Sequence, residues 1–355
     1  MPRASRILKV FTPSFADDAD TNAQNLTVKQ VVARLDPTRF RVTMFCEGTP
    51  DARIATRENT VLWRWHRRGN ALLTVIRMIG DVPDVYFFPR EGPLDRNFFF
   101  LRRKLGWHTA VITYVVSGGV TRVPTPPGQL RNLREASAVY GNNRYLTQFV
   151  NERLGFTGGT IYDGIDRRYY YPPESRGGEA ERVTVLCAGS FRSYKRMDLV
   201  VGQAARWPDV EFRIAGRGEE EGSCRRLVSE LGCTNVRFLG HLAQAELGNE
   251  MRSADVFLFP SELEGHPQVL LQAAGCGLPC VARNSYRPDA VVDGETGFLA
   301  GSDEELARKF DVLVQDAALR SVMSQAAIRH ASRFDWDQVA AQWADAFEKA
   351  AGDSA

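Results

Sequence analysis

Apolar residues in the first half of the chain form short runs that alternate with longer segments of helical spacing. The short runs have the length and composition of buried strands, and the longer segments have the spacing of amphipathic helices. Such alternation predicts a parallel sheet covered by helices on both faces. The predicted strands are Ile7–Thr12, Arg41–Cys46, Asp84–Phe88, Ala110–Val116 and Ala138–Tyr140, and the predicted helices are Ala23–Leu35, Asn70–Ile79, Asn97–Leu105 and Arg144–Leu154.

A segment rich in proline, glycine and charge, Tyr162–Arg182, interrupts this alternation and predicts a linker. The alternation then restarts, and a chain of 355 residues is long enough for two domains. We therefore expect an α/β protein with two Rossmann-like, doubly wound parallel-sheet domains, residues 1–165 and 166–334. A ligand is expected in the cleft between them, at the carboxyl ends of the strands. The second set of strands is Val183–Ala188, Val210–Ala215, Val236–Leu239, Val256–Phe259 and Cys280–Ala282, with helices Met197–Arg206, Glu219–Leu231, Ala243–Arg252 and Pro267–Cys276.

Composition and charge narrow the function classes. The formal charge of +2 argues against a polyanionic partner such as nucleic acid. The six cysteines form no CxxC pair, which favours free thiols in a reducing compartment. Without a signal peptide pattern or an apolar run long enough for a membrane span, we expect a cytoplasmic protein.

The stretch FPSELEGHPQVLLQAAGCGLPCVA, residues 259–282, places the acid Glu264 before a short apolar helix. The amino end of a helix offers unpaired amides and a positive dipole, and no acidic residue caps it here, so it could receive a phosphate. Gln272 follows about 7.5 Å along the helix axis. The alternative interpretation is an ordinary core helix beside a surface glutamate. The helix is predicted to start with Pro267 at its first position, and the amides of Gln268, Val269 and Leu270 are expected to face the ligand.

This stretch resembles the signature of glycosyltransferase family 4, retaining enzymes of the GT-B fold. Glu264 matches the first glutamate of the signature, which the resemblance implies contacts the donor sugar. Gln272 stands where the family has a second glutamate, implied to bind the ribose. His266 occupies a place where an aromatic residue is common. We favour a packing or donor-contacting ring for it over a catalytic base.

The resemblance covers the second half of the chain almost continuously. NVRFLGHLAQAELGNEMRSADVFLFPS implies that a loop of Gly240, His241 and Leu242 faces the nucleotide base. TIYDGIDRRYYYP resembles the join between domains, with Asp163 where asparagine is common. The final segment, residues 335–352, resembles the last GT-B helix, implied to cross back and brace the first domain.

The stretch CAGSFRSYKRMDLVV is implied to clamp the donor diphosphate. Lys195 matches the family's lysine and is one of only six lysines among the 45 basic residues. Ser190 stands at the usual arginine position, and Arg192, two residues on, could reach the same phosphate. Cations are useful there because the leaving diphosphate gains charge as the glycosidic bond breaks. The alternative is a solvated loop.

The first half of the chain resembles the family in its alternation of strands and helices more than in its sequence motifs. Asp18 and Asp20 spell Asp-x-Asp, but two carboxylates are a weak metal signal, and no metal or other cofactor is expected. We favour a polar loop of Asp20, Asn22 and Asn25 that contacts acceptor or phosphate. Near Val115 the family usually has a histidine, whose role is absent here or taken by Tyr114 or Ser117.

Two stretches of the first half, WRWHRRGNALLTVIRMIG and RNFFFLRRKLGWH, mix aromatic residues with arginines. Helices with one buried and one solvated face are the favoured interpretation. Peripheral contact with the inner face of the cell membrane is the alternative.

The resemblance implies transfer of a sugar from a nucleotide diphosphate sugar, UDP- or GDP-linked, to an unknown acceptor with retained configuration. It also implies that the first domain binds the acceptor and the second domain binds the donor. Lys195, Arg192 and Glu264 are the expected catalytic residues, with Ser190 and the helix start in donor binding. A sugar-nucleotide epimerase and a non-catalytic nucleotide-sugar binder or partner subunit remain the alternative functions.

Overall fold

The computed structural model describes residues 6–18, 23–65, 70–116, 126–174 and 182–354. The chain forms two compact units, Met1–Asp163 with Trp336–Ala355 and Gly164–Asp335. The predicted residues Asp20, Asn22 and Ser117 lie outside the described ranges.

The first unit is built on a parallel sheet of seven strands within the described residues, in the order β3-β2-β1-β4-β5-β6-β7. The strand order reverses between β1 and β4, which makes the carboxyl ends of these two strands a switch point. Numbered in chain order, the strands are β1 Leu8–Phe15, β2 Phe40–Cys46, β3 Thr60–Arg64, β4 Val85–Phe87, β5 Ala110–Val115, β6 Ala138–Gly141 and β7 Gly158–Thr160. The helices are α1 Ala23–Val32, α2 Ala52–Ala55, α3 Asn70–Gly80, α4 Pro93–Leu105, α5 Pro127–Glu135, α6 Arg144–Leu154 and α13 Trp336–Ser354.

The last helix of the chain, α13, belongs to the core of the first unit. Trp343 is fully buried, and its ring centroid lies 4.7 Å from that of Phe87 and 4.9 Å from that of Tyr114. Aromatic rings of this size remove a large apolar area from water. Residues distant in sequence thus complete one core.

The second unit repeats the architecture with a parallel sheet whose six strands, as far as the chain is described, run β10-β9-β8-β11-β12-β13. The strands are β8 Thr184–Ala188, β9 Glu211–Ala215, β10 Val236–Gly240, β11 Val256–Phe259, β12 Cys280–Arg283 and β13 Gly297–Ala300. The helices are α7 Met197–Arg206, α8 Glu221–Glu230, α9 Gln244–Ser253, α10 Gln268–Gly275, α11 Asp303–Gln315 and α12 Ala317–Ala331. The predicted α/β class with two doubly wound parallel sheets is confirmed.

The pattern predicted Cys280–Ala282 as the last strand of the second sheet, but the sheet has one strand more. β13 pairs with β12 beyond it, from Cys280 opposite Gly297 to Arg283 opposite Ala300. Its short sequence, GFLA, follows three turn residues, 294–296, and is too short to be recognised as a strand without this pairing. The pattern also missed β3, β7, α2, α5, α11 and α12.

The predicted linker begins as packed structure. Asp163 is 3% exposed and accepts hydrogen bonds from the Thr27 hydroxyl at 2.9 Å, the Asn142 amide at 3.1 Å and the Tyr114 hydroxyl at 3.4 Å. These donors are neutral, so burial dominates and raises the pKa of Asp163 to about 6. The side-chain oxygen of Asn142 is buried without a hydrogen-bond partner. An amide at position 163 could donate to it if Asn142 rotated.

We expect Asp163→Asn to stabilise the protein at pH 8. The folded state holds the proton more tightly than the unfolded chain, so wild-type stability falls as the pH rises from about 4 to about 6. Asparagine carries no charge, so burying it avoids the cost of ionising Asp163. Above pH 6 the unfolding free energy of the variant should exceed that of wild type by up to about 3 kcal/mol. Chemical denaturation at pH 4 and pH 8 measures it. The exposed Asp209→Asn is the control, and an equal gain at both pH values would contradict the explanation.

Candidate functional site

Three strands of the second unit end close together. The Gly189 amide after β8 donates to Ala215 O at 3.0 Å, and the Gly216 amide after β9 donates to Gly240 O at 2.7 Å. Gly216 has φ +138°, and a Cβ there would lie 1.8 Å from Gly189 O. Only glycine fits this approach, which places the loop carrying Lys195 at the sheet edge.

An ion pair between Lys195 and Glu264 is the centre of the site. The Lys195 side chain is 13% exposed and that of Glu264 14% exposed. The Ser261 hydroxyl donates to Glu264 Oε1 at 2.6 Å, and Ser261 itself is fully buried. The Lys195 ammonium and the Ser261 hydroxyl therefore orient the Glu264 carboxylate. Lys195 belongs to a different loop from the other two residues. Sequence reasoning did not foresee Ser261, although it lies three residues before Glu264.

Aromatic rings surround the Lys195 ammonium. Its nitrogen lies 5.2 Å from the ring centroid of Phe259, at the end of β11, and 5.6 Å from that of Tyr194. Rings at this distance attract a cation and limit its contact with water. The ammonium is therefore held by one carboxylate and two rings.

The two predicted cations of this loop are separated. Arg192 is exposed and lines a cavity of about 520 Å³ with residues of α7 and α8, such as Asp198 and Ser223, and that lining contains neither Lys195 nor Glu264. Ser190 is exposed as well. Lys195 differs from Arg192 and Ser190 because it is largely buried and ion-paired. Spacing in the sequence could not show this difference.

Arg196, which was not singled out from sequence, braces the loop instead. It has a left-handed backbone with φ +52°. Its guanidinium pairs with Glu262, with Asp198 at 3.1 Å and with Asp303 at 3.2 Å. These contacts raise the pKa of Arg196, mainly through the hydrogen bond to Asp198. The loop is thus tied to the segment that carries Glu264.

Helix α10 begins one residue later than predicted. Pro267 is the N-cap, with ψ 110°, rather than the first helical residue. The Leu270 amide donates to Pro267 O at 3.0 Å, so it does not face outward as expected. Among the described residues, the amides of Gln268 and Val269 have no acceptor. Two amides, rather than three, remain for an external anion.

Two glutamines on α10 carry unsatisfied polar atoms. Gln268 Nε2 and Gln272 Oε1 are both buried, and neither has a hydrogen-bond partner among the residues that the structure describes. Residues four apart share one helix face. A donor and an acceptor therefore lie on the same face, and unpaired buried groups of this kind cost about 1–3 kcal/mol each. A polar ligand could pair with these atoms only after the glutamine side chains rotate toward it.

His266 is buried, and its ring centroid lies 6.2 Å from that of Phe334. Burial lowers the pKa of His266 to about 4. The imidazole is therefore neutral at pH 7 and supplies no positive charge to a phosphate. Its burial fits the packing ring favoured above.

Tyr286, which sequence reasoning missed, follows β12 and is 2% exposed. Within the described ranges of the chain, its hydroxyl has no hydrogen-bond partner. Burial, and then the charge of Glu264, raise the pKa of Tyr286 well above its usual value. The hydroxyl remains protonated and can donate.

The loop expected to face a nucleotide base follows β10. Gly240 has φ +71° and lies close to the Arg217 guanidinium, His241 is exposed and Leu242 is half-buried. Arg217 was not foreseen. It lies two residues after the end of β9, which was predicted correctly at Ala215, but no sequence pattern indicates that its guanidinium lies near Gly240.

In the first unit, two predicted contact residues serve the protein's own structure. The Asn25 side-chain oxygen accepts from the Phe15 amide at 3.1 Å and from Arg90. The Tyr114 hydroxyl donates to Ile161 O at 2.8 Å and is 3.4 Å from Asp163. The Asn25 oxygen and the Tyr114 hydroxyl are therefore already engaged within the unit. In the described part of the chain, no group of three or more His, Cys, Asp or Glu side chains could hold a metal ion.

Comparison with solved structures defines the fold class as GT-B. Sucrose-phosphate synthase from Thermosynechococcus elongatus superposes with a TM-score of 0.78 at 18% identity, covering 97% of this chain and 99% of that chain. Anabaena HepE in complex with UDP-glucose superposes with a TM-score of 0.76 at 18% identity, covering 96% of this chain and 100% of that chain. At this identity the similarity establishes the fold alone.

The match to a known family model lies within the second unit. Residues 174–330 match the family model for glycosyl transferases group 1. The D-inositol 3-phosphate glycosyltransferase of Mycobacterium tuberculosis is 32% identical over 211 residues, which is 54% of this chain and 44% of that relative. The match thus spans less than half of the relative's length.

Gly216→Ala should disrupt the site, because its Cβ would collide with Gly189 O. We expect a loss of at least about 3 kcal/mol in unfolding free energy. Gly222→Ala, in α8 with nothing within 4 Å of the new Cβ, is the matched control and should stabilise by about 0.5 kcal/mol. Urea denaturation of both variants is the measurement, and similar stabilities would contradict the close approach.

Proposed function

We propose that this protein is a retaining glycosyltransferase that moves a sugar from a nucleotide diphosphate sugar to an acceptor hydroxyl. The observation that carries the proposal is the Lys195–Glu264 pair at the end of the second sheet, beside the free amides of α10. The match of residues 174–330 to a glycosyl transferase model supports it. HepE in complex with UDP-glucose supports a UDP-sugar as the first donor to test.

The ion pair suits a donor that carries its charge on the diphosphate. Glu264 supplies the countercharge that lets Lys195 be 13% exposed. When a diphosphate binds beside Lys195 and the amides of Gln268 and Val269, it replaces Glu264 as the countercharge of Lys195. Glu264, still oriented by Ser261, is then able to accept a hydrogen bond from a sugar hydroxyl.

The remaining polar atoms of α10 fit the ribose. Gln272 Oε1 accepts from a ribose hydroxyl, and Gln268 Nε2 donates to one. Both contacts are neutral, so they bind the diol less strongly than a carboxylate would. The loop of Gly240 and His241 contacts the base.

The transfer step uses the departing phosphate. The acceptor oxygen forms its bond to the anomeric carbon while the bond from that carbon to the phosphate oxygen breaks. The acceptor proton passes to the leaving phosphate oxygen, on the same face of the sugar, so configuration is retained. Lys195 and the α10 amides stabilise the charge that develops on the diphosphate.

Lys195→Ala should lower kcat for UDP release by about 10²–10³-fold, the cost of removing one such stabilising group. Lys309→Ala, which breaks exposed pairs with Asp293 and Glu305, is the matched control and should keep near wild-type activity. UDP release from UDP-sugars is measured with and without acceptors.

A companion variant separates chemistry from folding. Lys195→Ala leaves Glu264 without its countercharge, and Lys195→Ala with Glu264→Gln removes both charges. The double variant should recover the melting temperature and remain inactive. Activity that survives Lys195→Ala would refute the clamp, and tight UDP binding without turnover under any acceptor would favour a non-catalytic binder.

We also propose that the first unit contacts an anionic membrane surface. Helix α3 exposes Leu72, Leu73, Ile76 and Ile79 to 49–56%, and Phe100 of the packed helix α4 is 53% exposed. Arg77, Arg96, Arg103 and Lys104 on the same two helices are exposed as well. Apolar side chains flanked by cations are typical of interfacial binding. No helix of the described chain has the length and apolar character to cross a membrane.

Leu73→Asp with Ile76→Asp should weaken cosedimentation with phosphatidylglycerol vesicles at least tenfold, because both burial and charge attraction are lost. Val322→Asp, an apolar residue 65% exposed in the second unit, is the control. Binding should fall with added salt and be weak on phosphatidylcholine alone. Unchanged binding of the double variant would contradict this surface.

A further inference from the structure

Tyr286 lies on the loop that follows β12, beside the loop that carries Glu264. β12 pairs in parallel with β11, so the two loops leave adjacent strands at the same edge of the second sheet. The Ser285 hydroxyl donates to Glu262 O at 2.7 Å and joins the two loops directly. The neighbour of Tyr286 thus contacts the residue that lies two positions before Glu264.

Ion pairs hold both loops in place. Arg283, the last residue of β12, is 6% exposed and pairs with Asp303. Asp303 also pairs with Arg196 at 3.2 Å, and Arg196 pairs with Glu262. One network of charges therefore fixes the two loops relative to each other.

The Tyr286 hydroxyl is a buried donor that has nothing to donate to. The residue is 2% exposed, and within the part of the chain that the structure describes its hydroxyl has no hydrogen-bond partner. Native proteins keep few such groups, because an unpaired buried hydroxyl is unfavourable. Burial raises the pKa of Tyr286, and the charge of Glu264 raises it further, so the hydroxyl keeps its proton close to an anion.

The Glu264 carboxylate has an oxygen to spare. The Lys195 ammonium and the Ser261 hydroxyl both donate to Oε1. Among the described residues, Oε2 receives no hydrogen bond. An ionised carboxylate has about four acceptor positions, so Oε2 is able to take a further donor.

Donor binding changes what holds Glu264. Once a diphosphate has replaced Glu264 as the countercharge of Lys195, the carboxylate keeps Ser261 as its donor and loses the ammonium. A carboxylate that must accept from a sugar hydroxyl then needs a second donor to fix its orientation. A small rotation of the Glu264 side chain would bring Oε2 to a donor on the neighbouring loop.

We propose that Tyr286 is a positioning residue of the donor site, whose hydroxyl donates to Glu264 Oε2 when the nucleotide sugar is bound. The carboxylate is thereby held against a hydroxyl of the sugar. The inference rests on the proposed transfer function and names a residue by which that site recognises the sugar. Tyr286 acts through Glu264 and does not reach the ligand, which agrees with its burial.

The test uses the whole chain and the variant Tyr286→Phe, which removes the hydroxyl alone. Tyr140→Phe is the matched control. Tyr140 is half-buried in β6 of the first unit, and burial alone raises the pKa of its hydroxyl, so no carboxylate acts on it. The probes are UDP, GDP, UDP-glucose, UDP-N-acetylglucosamine and GDP-mannose.

Calorimetry measures the Kd of each probe, and release of the nucleoside diphosphate measures turnover. We expect Tyr286→Phe to keep the wild-type melting temperature, because its hydroxyl is unpaired in the free protein, and to keep the wild-type affinity for UDP or GDP, which carry no sugar. The preferred nucleotide sugar should bind about tenfold more weakly, and kcat/KM should fall at least as much, as expected for one hydrogen bond to a charged group. The control should match wild type.

A second background tests whether Tyr286 acts through the carboxylate. In Glu264→Ala, the further change Tyr286→Phe should alter the affinity for the nucleotide sugar less than twofold, because the two effects are coupled. An equal loss in both backgrounds would refute the assignment. So would a Tyr286→Phe variant that keeps the wild-type ratio of nucleotide-sugar to nucleoside-diphosphate affinity, whether or not its melting temperature falls.

Failure of the proposed transfer function gives a different result. Wild type then prefers a nucleotide sugar to its nucleoside diphosphate, and Tyr286→Phe removes that preference, but no acceptor gives turnover. That outcome supports the positioning role and refutes the catalytic assignment of Lys195. If wild type prefers none of the nucleotide sugars, Glu264 binds no sugar and the role of Tyr286 is refuted as well.

Discussion

The ion pair between Lys195 and Glu264 links two loops that follow different strands of the second sheet. Each partner alone would be a costly charge in a site with little water. Together with the Ser261 hydroxyl they form a polar centre held on a rigid scaffold. The geometry of the candidate donor site depends on this pair.

The pair in turn depends on a close approach of the backbone. Gly216 lets the ends of β8 and β9 meet at a distance that any side chain would prevent. Arg196 then ties the Lys195 loop to Glu262, two residues before Glu264. A glycine and a network of charges therefore fix where the ammonium lies.

The two units use the same sheet architecture differently. In the second, charged groups at the strand ends are paired with one another, and α10 presents free amides. In the first, the Asn25 and Tyr114 side chains near the strand ends are hydrogen-bonded to the unit's own backbone.

Periodicity and motif spacing were sufficient for the two parallel sheets and for singling out Lys195 and Glu264. They determine which segments can bury apolar faces and which residues follow a strand. The sequence could not reveal β13, the pairing of residues 195 and 264, or the use of Asn25 and Tyr114 within the protein. Only the tertiary structure decided these, because strand pairing, burial and hydrogen-bond partners depend on residues far apart in the chain.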